Sequence, residues 1–176
     1  MPRATAKRPP ETGARSTRWL SSDEEAAWRA IVQLMVKLPW AIECQLESDA
    51  GLSFIEYHAM ARLSEDPEHT LRMSELALLT NASLSRLSHL VKRLESRGLV
   101  RREADPADGR YTNAILTEAG YTLLVASAPG HVARVRSLVI DALSPAELRA
   151  LHRASQRLLA RMETSDQRHE DAGDVT

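Results

Sequence analysis

At 176 residues the chain is the size of one domain with arms, long enough to bury a sizeable core. Its single cysteine, Cys44, excludes an internal disulfide framework, and the lack of an apolar run of about eighteen residues or of an apolar leader predicts a soluble, cytoplasmic protein. A formal net charge of −1 means that any nucleic-acid binding must rest on local clusters of cations, not on the sum.

Residues 1–18 combine Pro2, Pro9, Pro10 and Gly13 with Arg3, Lys7, Arg8, Arg15 and Arg18 against Glu11 alone, and predict a disordered basic arm. Ser22 with Glu25 reads as a capping box opening a long helix. Trp28, Ile31, Val32, Met35, Ile42 and Leu46 form one apolar stripe along it. Val36, Trp40 and Cys44 form a second, roughly opposite stripe, so the C-terminal half of this helix needs apolar neighbours on two sides. Pro39 predicts a bend, Gly51 the end. Cys44 is expected to be a buried core residue, since no neighbouring cation in sequence would activate its thiol.

Ser53 and Glu56 form another capping box, opening a helix in which Tyr57, Met60 and Leu63 are the buried candidates and His58 a lone surface or packed histidine. Thr70, Leu71 and Arg72 suit a short strand. A short apolar helix follows from Met73. Thr80, Asn81 and Ala82 then make a turn, with Asn81 able to take the left-handed conformation.

Ser83 caps the next helix and Gly98 stops it. Leu87, Leu90, Val91 and Leu94 share its buried side. Ser85, His89, Lys92 and Ser96 point directly away, flanked by Arg86, Ser88 and Arg93. Beyond Gly98 the period becomes extended: residues 99–104 and 111–116 read as strands joined by the turn-rich stretch 105–110. Helix, tight turn, polar-faced helix and charged hairpin together describe a winged helix-turn-helix. From Ser83 to Arg110 the cations are Arg86, Lys92, Arg93, Arg97, Arg101, Arg102 and Arg110, against Glu95, Glu103, Asp105 and Asp108.

Thr117 caps a helix expected to run to about Leu143 and to be interrupted at Pro129 and Gly130. Ser144, Pro145 and Glu147 carry three concordant helix-start signals. In the last helix Leu148, Leu151, Ser155, Leu158 and Met162 follow alternating spacings of three and four, a seam suited to an intermolecular bundle. The tail, with Asp166, Glu170, Asp171 and Asp174, is acidic.

The runs from Leu71 to Ala77, Ser83 to Glu95 and Arg97 to Val100, together with Asp108-Gly109-Arg110 and Leu116-Thr117, resemble the multiple-antibiotic-resistance regulator (MarR) family. Gly51-Leu52-Ser53 and the stretch 128–133 are similar to its actinobacterial members, and the likeness spans Trp19 to Met162. The resemblance implies a mainly α fold with a small β wing, in which N- and C-terminal helices form a dimerisation bundle. The corresponding division is a basic arm (1–18), an N-terminal dimerisation helix (19–52), a winged helix-turn-helix lobe (53–117), C-terminal dimerisation helices (118–164) and an acidic tail (165–176).

It further implies a homodimeric, ligand-responsive transcription regulator, here expected to be a repressor on an inverted-repeat operator in duplex DNA. Ser83, Ser85, Arg86, Ser88 and His89 would enter the major groove, where arginine can hold a guanine edge with two bonds. Lys92, Arg93 and Arg101 would meet phosphates. By resemblance Arg110 reaches the minor groove, oriented by Asp108. Family ligands enter a cleft between the dimerisation helices and the DNA-binding lobe, whose lining here would include Trp40, Tyr57 and His58, suited to a small aromatic compound. The alternatives are a winged-helix protein-docking module and a redox regulator acting through Cys44. No catalytic motif and no cofactor is expected. Glu43, Cys44 and Glu47 with His58 are read as a coincidence, not a metal site.

Overall fold

The computed structural model describes residues 17–173, with side chains to 164; most of the expected basic arm and the side chains of the acidic tail lie outside the described residues. The elements are α1 (Ser22–Ala50), α2 (Phe54–Glu65), β1 (Thr70–Arg72), α3 (Met73–Leu79), α4 (Leu84–Ser96), β2 (Val100–Ala104), β3 (Thr112–Leu116), α5 (Glu118–Val135), a π-helical turn (Arg136–Ile140) and α6 (Pro145–Gly173). The chain is thus mainly helical with one small antiparallel sheet of order β1-β3-β2. Two compact units divide it between Lys37 and Leu38, within α1.

The helix starts follow from side-chain capping. Ser53 accepts from the Glu56 amide while the Glu56 carboxylate accepts from the Ser53 amide, a reciprocal box. The Thr117 hydroxyl accepts from Gly120 N, and Ser144 and Glu147 reciprocate at α6. At α1 the box sits one residue earlier than expected. Ser21 and Glu24 form it, and Glu25 instead pairs with Arg29 one turn on. Spacing alone permits either register, and the i,i+4 pair with Arg29 draws Glu25 away from the cap.

The core lies where α2, α3 and α4 meet the sheet. Leu46, Leu52, Met60, Leu63, Leu76, Leu87, Val91, Leu94 and Val100 are fully buried there, Tyr57 joins them, and Ile42 and Leu46 bring the end of α1 into it. The rest of the α1 stripe does not follow. Trp28, Ile31, Val32 and Met35 are exposed, as are Val36, Trp40 and Cys44 on the second stripe. Cys44 is therefore not a core residue, because nothing among the described residues covers the face it occupies.

Neither proline breaks its helix. α1 is continuous through Pro39 and α5 through Pro129, and the irregularity comes later, in the π-helical turn after Val135. A proline forfeits one amide bond of the helix, a cost that packing can absorb. Gly130 helps here, since a Cβ there would stand 2.8 Å from Asp49 Oδ2 and 3.2 Å from Gln45 Nε2. The small residue lets α5 lie close against the end of α1. The stretch Glu118–Ile140 has the length and mean hydropathy of a membrane span, yet it contains Glu118, His131, Arg134 and Arg136, and Arg134 Nε donates to Ala41 O at 3.2 Å.

Candidate nucleic-acid interface

The polar face of α4 is positioned from behind by its apolar one. Leu87, Leu90, Val91 and Leu94 are buried, which fixes the helix rotation and turns Ser85, Arg86, His89 and Lys92 outward, with Ser88 half-buried on the wing side. Thr80, buried, donates its hydroxyl to Leu76 O at 2.7 Å, and Asn81 adopts φ 49°, so the chain reverses within one tight turn. The Ser83 hydroxyl accepts from Arg86 N at 3.3 Å. Ser83 is therefore occupied as a cap while remaining at the exposed end of the helix.

The C-terminal end of α4 is tied down separately. Gly98, at φ 72°, lets the chain turn into β2. Arg97 donates through Nη1 to Gly51 O at 2.8 Å and through Nη2 to Ala50 O at 3.3 Å, satisfying carbonyls at the end of α1. Arg93, beside it, donates through Nε to Glu56 Oε1 at 2.9 Å. Glu56 is only 6% exposed. Burial alone would raise its pKa, but the Ser53 amide, Arg93 and the Ser53 hydroxyl outweigh it and hold the carboxyl below its ordinary range.

The wing is braced by four arginine–carboxylate pairs among the described residues. Arg110 donates through Nε and Nη2 to Asp108 at 2.9 and 2.6 Å, so the carboxylate orients the guanidinium at the exposed hairpin tip. This contact holds Asp108 below the ordinary carboxylate range. Arg72 donates through Nε to Asp105 Oδ2 at 3.1 Å and lies 4.6 Å above the Tyr111 ring. Asp105 also accepts from the Ala107 and Asp108 amides, which closes the turn; the Ala107 bond is the foremost cause of its lowered pKa. Arg102 donates through Nε and Nη2 to Glu95 Oε2 at 3.0 and 2.6 Å, joining β2 to α4. Arg101 is paired with Glu103 along the same strand.

Between α4 and the wing lies a recess of about 280 Å³ lined by Arg72, Met73, Ser74, Leu84, Ser88, Arg102, Arg110, Tyr111 and Thr112. Cations and hydroxyls stand here among a larger apolar lining from Met73, Leu84 and Tyr111, a mixture suited to the alternation of phosphate and sugar along a DNA backbone. A shallower recess of about 310 Å³ on the outer face of α4 is lined by His89, Lys92, Arg93 and Ser96. The structure thus brings Ser83, Ser85, Arg86, Ser88, His89, Lys92 and Arg93 onto one helix, with Arg101, Asp108 and Arg110 on the adjoining hairpin. Arg93 and Arg101, expected at phosphates, each have a carboxylate partner, Glu56 and Glu103.

Sequence reasoning passed over Leu84, Arg72, Asp105 and Tyr111. Asp105 lies in the turn-rich stretch 105–110 that spacing predicts, whereas its partner Arg72, 33 residues away, is not available from spacing.

The three ligand candidates have different surroundings. Trp40 is 70% exposed and borders an open concavity of about 520 Å³ with Glu43, Cys44, Glu47 and Ser48. Tyr57 is in the core with its ring 4.5 Å from that of His131, and burial raises its pKa. His58 stacks on Phe54, 6.2 Å away. Tyr57 thus takes the core place expected of it.

Comparison with known proteins places this geometry. A sequence profile of the MarR family matches residues 50–110. The chain is 40% identical to Sco3205, a MarR family transcriptional regulator from Streptomyces coelicolor crystallised in complex with DNA, with a TM-score of 0.80 over 82% of this chain and 94% of that one. It is 38% identical to AbsC, a MarR family transcriptional regulator from the same organism, with a TM-score of 0.80 over 84% and 99% of the two chains. It is also 37% identical over 75 residues to the transcriptional regulator HosA of Escherichia coli O111:H-, a match covering 42% of this chain and 53% of that protein, so here the likeness spans about half the relative's length.

Proposed function

The chain belongs to the MarR family of transcriptional regulators, and from that premise we propose that it acts as a homodimeric, non-catalytic repressor that binds an inverted-repeat operator in the cytoplasm and is released by a small ligand. The observation that carries the DNA reading is the exposed face of α4. There Arg86 and Lys92 have no side-chain partner among the described residues, and serines flank them. Small hydroxyls let the helix approach base edges, while an unpaired arginine can hold guanine O6 and N7 with two bonds. Similarity to Sco3205, a structure determined with DNA, supports the same assignment.

The homodimer reading is supported by apolar surface that the described residues leave uncovered. Val125 and Val132 of α5 and Leu151, Leu158, Leu159 and Met162 of α6 are all exposed. In this reading α1, α5 and α6 pair two copies, residues 53–117 form the DNA-binding lobe, and two α4 helices lie about 34–36 Å apart, one turn of duplex.

Selection of bound fragments from random duplex DNA tests the proposal. An inverted repeat should emerge, bound with the steep salt dependence of phosphate contacts; a docking module would give weak binding and a shallow slope. On the selected site, Arg86→Ala should cost about 1–3 kcal/mol and relax preference at one position of each half-site. Arg110→Ala should weaken binding with a preference for groove width instead of one base. Unchanged affinity in both variants would overturn the assignment.

The effector reading rests on Trp40, whose exposed indole borders an open concavity. A small aromatic acid should quench tryptophan fluorescence and release DNA together, because a ligand shifts an equilibrium only by its differential affinity for the two states. Trp40→Leu should abolish both effects and leave affinity for DNA without ligand nearly intact. Equal release from that variant would place the ligand elsewhere.

A further inference from the structure

The seven cations from Ser83 to Arg110 are not equivalent. Arg93, Arg101, Arg102 and Arg110 each have a carboxylate partner, Arg97 is bound to backbone carbonyls, and only Arg86 and Lys92 are unpaired among the described residues. Within the pairs, the geometry separates two kinds. Asp108 orients Arg110 at an open tip, where the guanidinium is largely exposed. Arg102 differs, for both pair members are about one-third exposed and two of its three guanidinium nitrogens are turned onto one Glu95 oxygen. The other Glu95 oxygen accepts from the Arg102 amide at 3.2 Å. Arg102 also lines the recess between α4 and the wing, beside Ser74, Ser88 and Arg110.

We propose that Glu95 is a specificity-determining residue: its carboxylate stands in for a DNA phosphate on Arg102, so that a duplex must displace it to use that cation. The inference rests on the DNA-binding reading given above. Its physical content is a competition. Non-specific binding is carried almost wholly by phosphate contacts and the counterions they release, so a cation already neutralised by the protein contributes little to it. Only a site whose shape seats a phosphate in the recess in good geometry can draw the guanidinium from Glu95. Holding Arg102 back therefore costs random DNA more than it costs the operator, which widens the ratio between them.

Glu95→Gln tests this. The amide keeps an oxygen for the Arg102 backbone N–H and a similar shape, but removes the charge. Binding to a random duplex and to the selected operator is measured across a salt series, alongside thermal unfolding. The variant should bind random duplex about fivefold more tightly at low salt, roughly the worth of a partly exposed ion pair. Its salt slope should steepen by about 0.9, one further phosphate contact. Affinity for the operator should rise less, so the specificity ratio falls. In Glu95→Gln/Arg102→Gln both gains should vanish. A variant that loses thermal stability or operator affinity with no gain on random duplex would show that Glu95 only braces the wing, and would overturn the proposal. Gains that persist in the double variant would overturn it too, because they could not come from Arg102. Operator binding by the wild-type chain without any effect of Glu95→Gln leaves the DNA-binding reading standing and removes this one; a wild-type chain that binds no duplex removes both.

Discussion

Replacing Gly120 by alanine is expected to destabilise the fold by about 3 kcal/mol, at the upper end of what overpacking by one methyl group usually costs. Gly120 is buried in the first turn of α5, and a Cβ there would stand 2.1 Å from Leu99 O and 2.8 Å from Leu116 Cδ1. The first of these neighbours is backbone and cannot swing aside. Leu99 O already accepts from the Thr117 amide at 3.1 Å, and the Thr117 hydroxyl that caps α5 donates to Gly98 O beside it at 2.7 Å, so moving this backbone would disturb the root of the wing and the start of α5 together. Urea unfolding monitored by circular dichroism gives the measurement. Gly109, with no atom within 4 Å of its would-be Cβ, is the control, and Gly109→Ala should be nearly silent. A Gly120→Ala protein within about 0.5 kcal/mol of the parent, the range of neutral surface changes, would mean that the α5–wing junction yields more easily than its contacts imply.

Removing the chain after Leu143 is expected to give a monomer or an aggregate. That truncation deletes α6, a helix of 29 residues in which none of the described side chains is buried. An isolated helix gains little from propensity and is held by packing of its apolar face. Here Leu151, Leu158, Leu159 and Met162 are left exposed by the described residues, and in the proposed homodimer their packing comes from a second copy. Light scattering decides it, and a truncated chain that stays a well-folded dimer would relocate the interface to the remaining helices.

What could be read from the sequence was what is local. Ser83, Ser53, Thr117 and Ser144 announce helix starts through bonds spanning three residues. The Leu87, Leu90, Val91 and Leu94 stripe fixes the outward face of α4, and Asp108 reaches Arg110 two residues away. What could not be read was what the fold brings from afar or what lies outside the chain. Arg93 meets Glu56 across 37 residues, and Arg72 meets Asp105 across 33, so the electrostatic state of these cations was hidden. Nothing local marks Gly120, whose reason is Leu99 O on another element. Periodicity showed that α1 carries two apolar faces but not that Cys44 and Trp40 would be left bare, since an amphipathic pattern does not say which chain supplies the cover.

The Arg97 bonds to Ala50 O and Gly51 O turn the far end of α4 into a pivot. A shift at the foot of α1 must either break both bonds or carry Arg97 with it, and the helix then swings as a lever. At 1.5 Å per residue, Ser85 lies about 18 Å from that fulcrum. A rotation of roughly 5° would therefore move it by about 1.5 Å, enough to pull a hydrogen bond to a base edge out of range. Leu87, fully buried two residues from Ser85, would travel almost as far, so such a tilt has to carry the apolar packing of α4 with it.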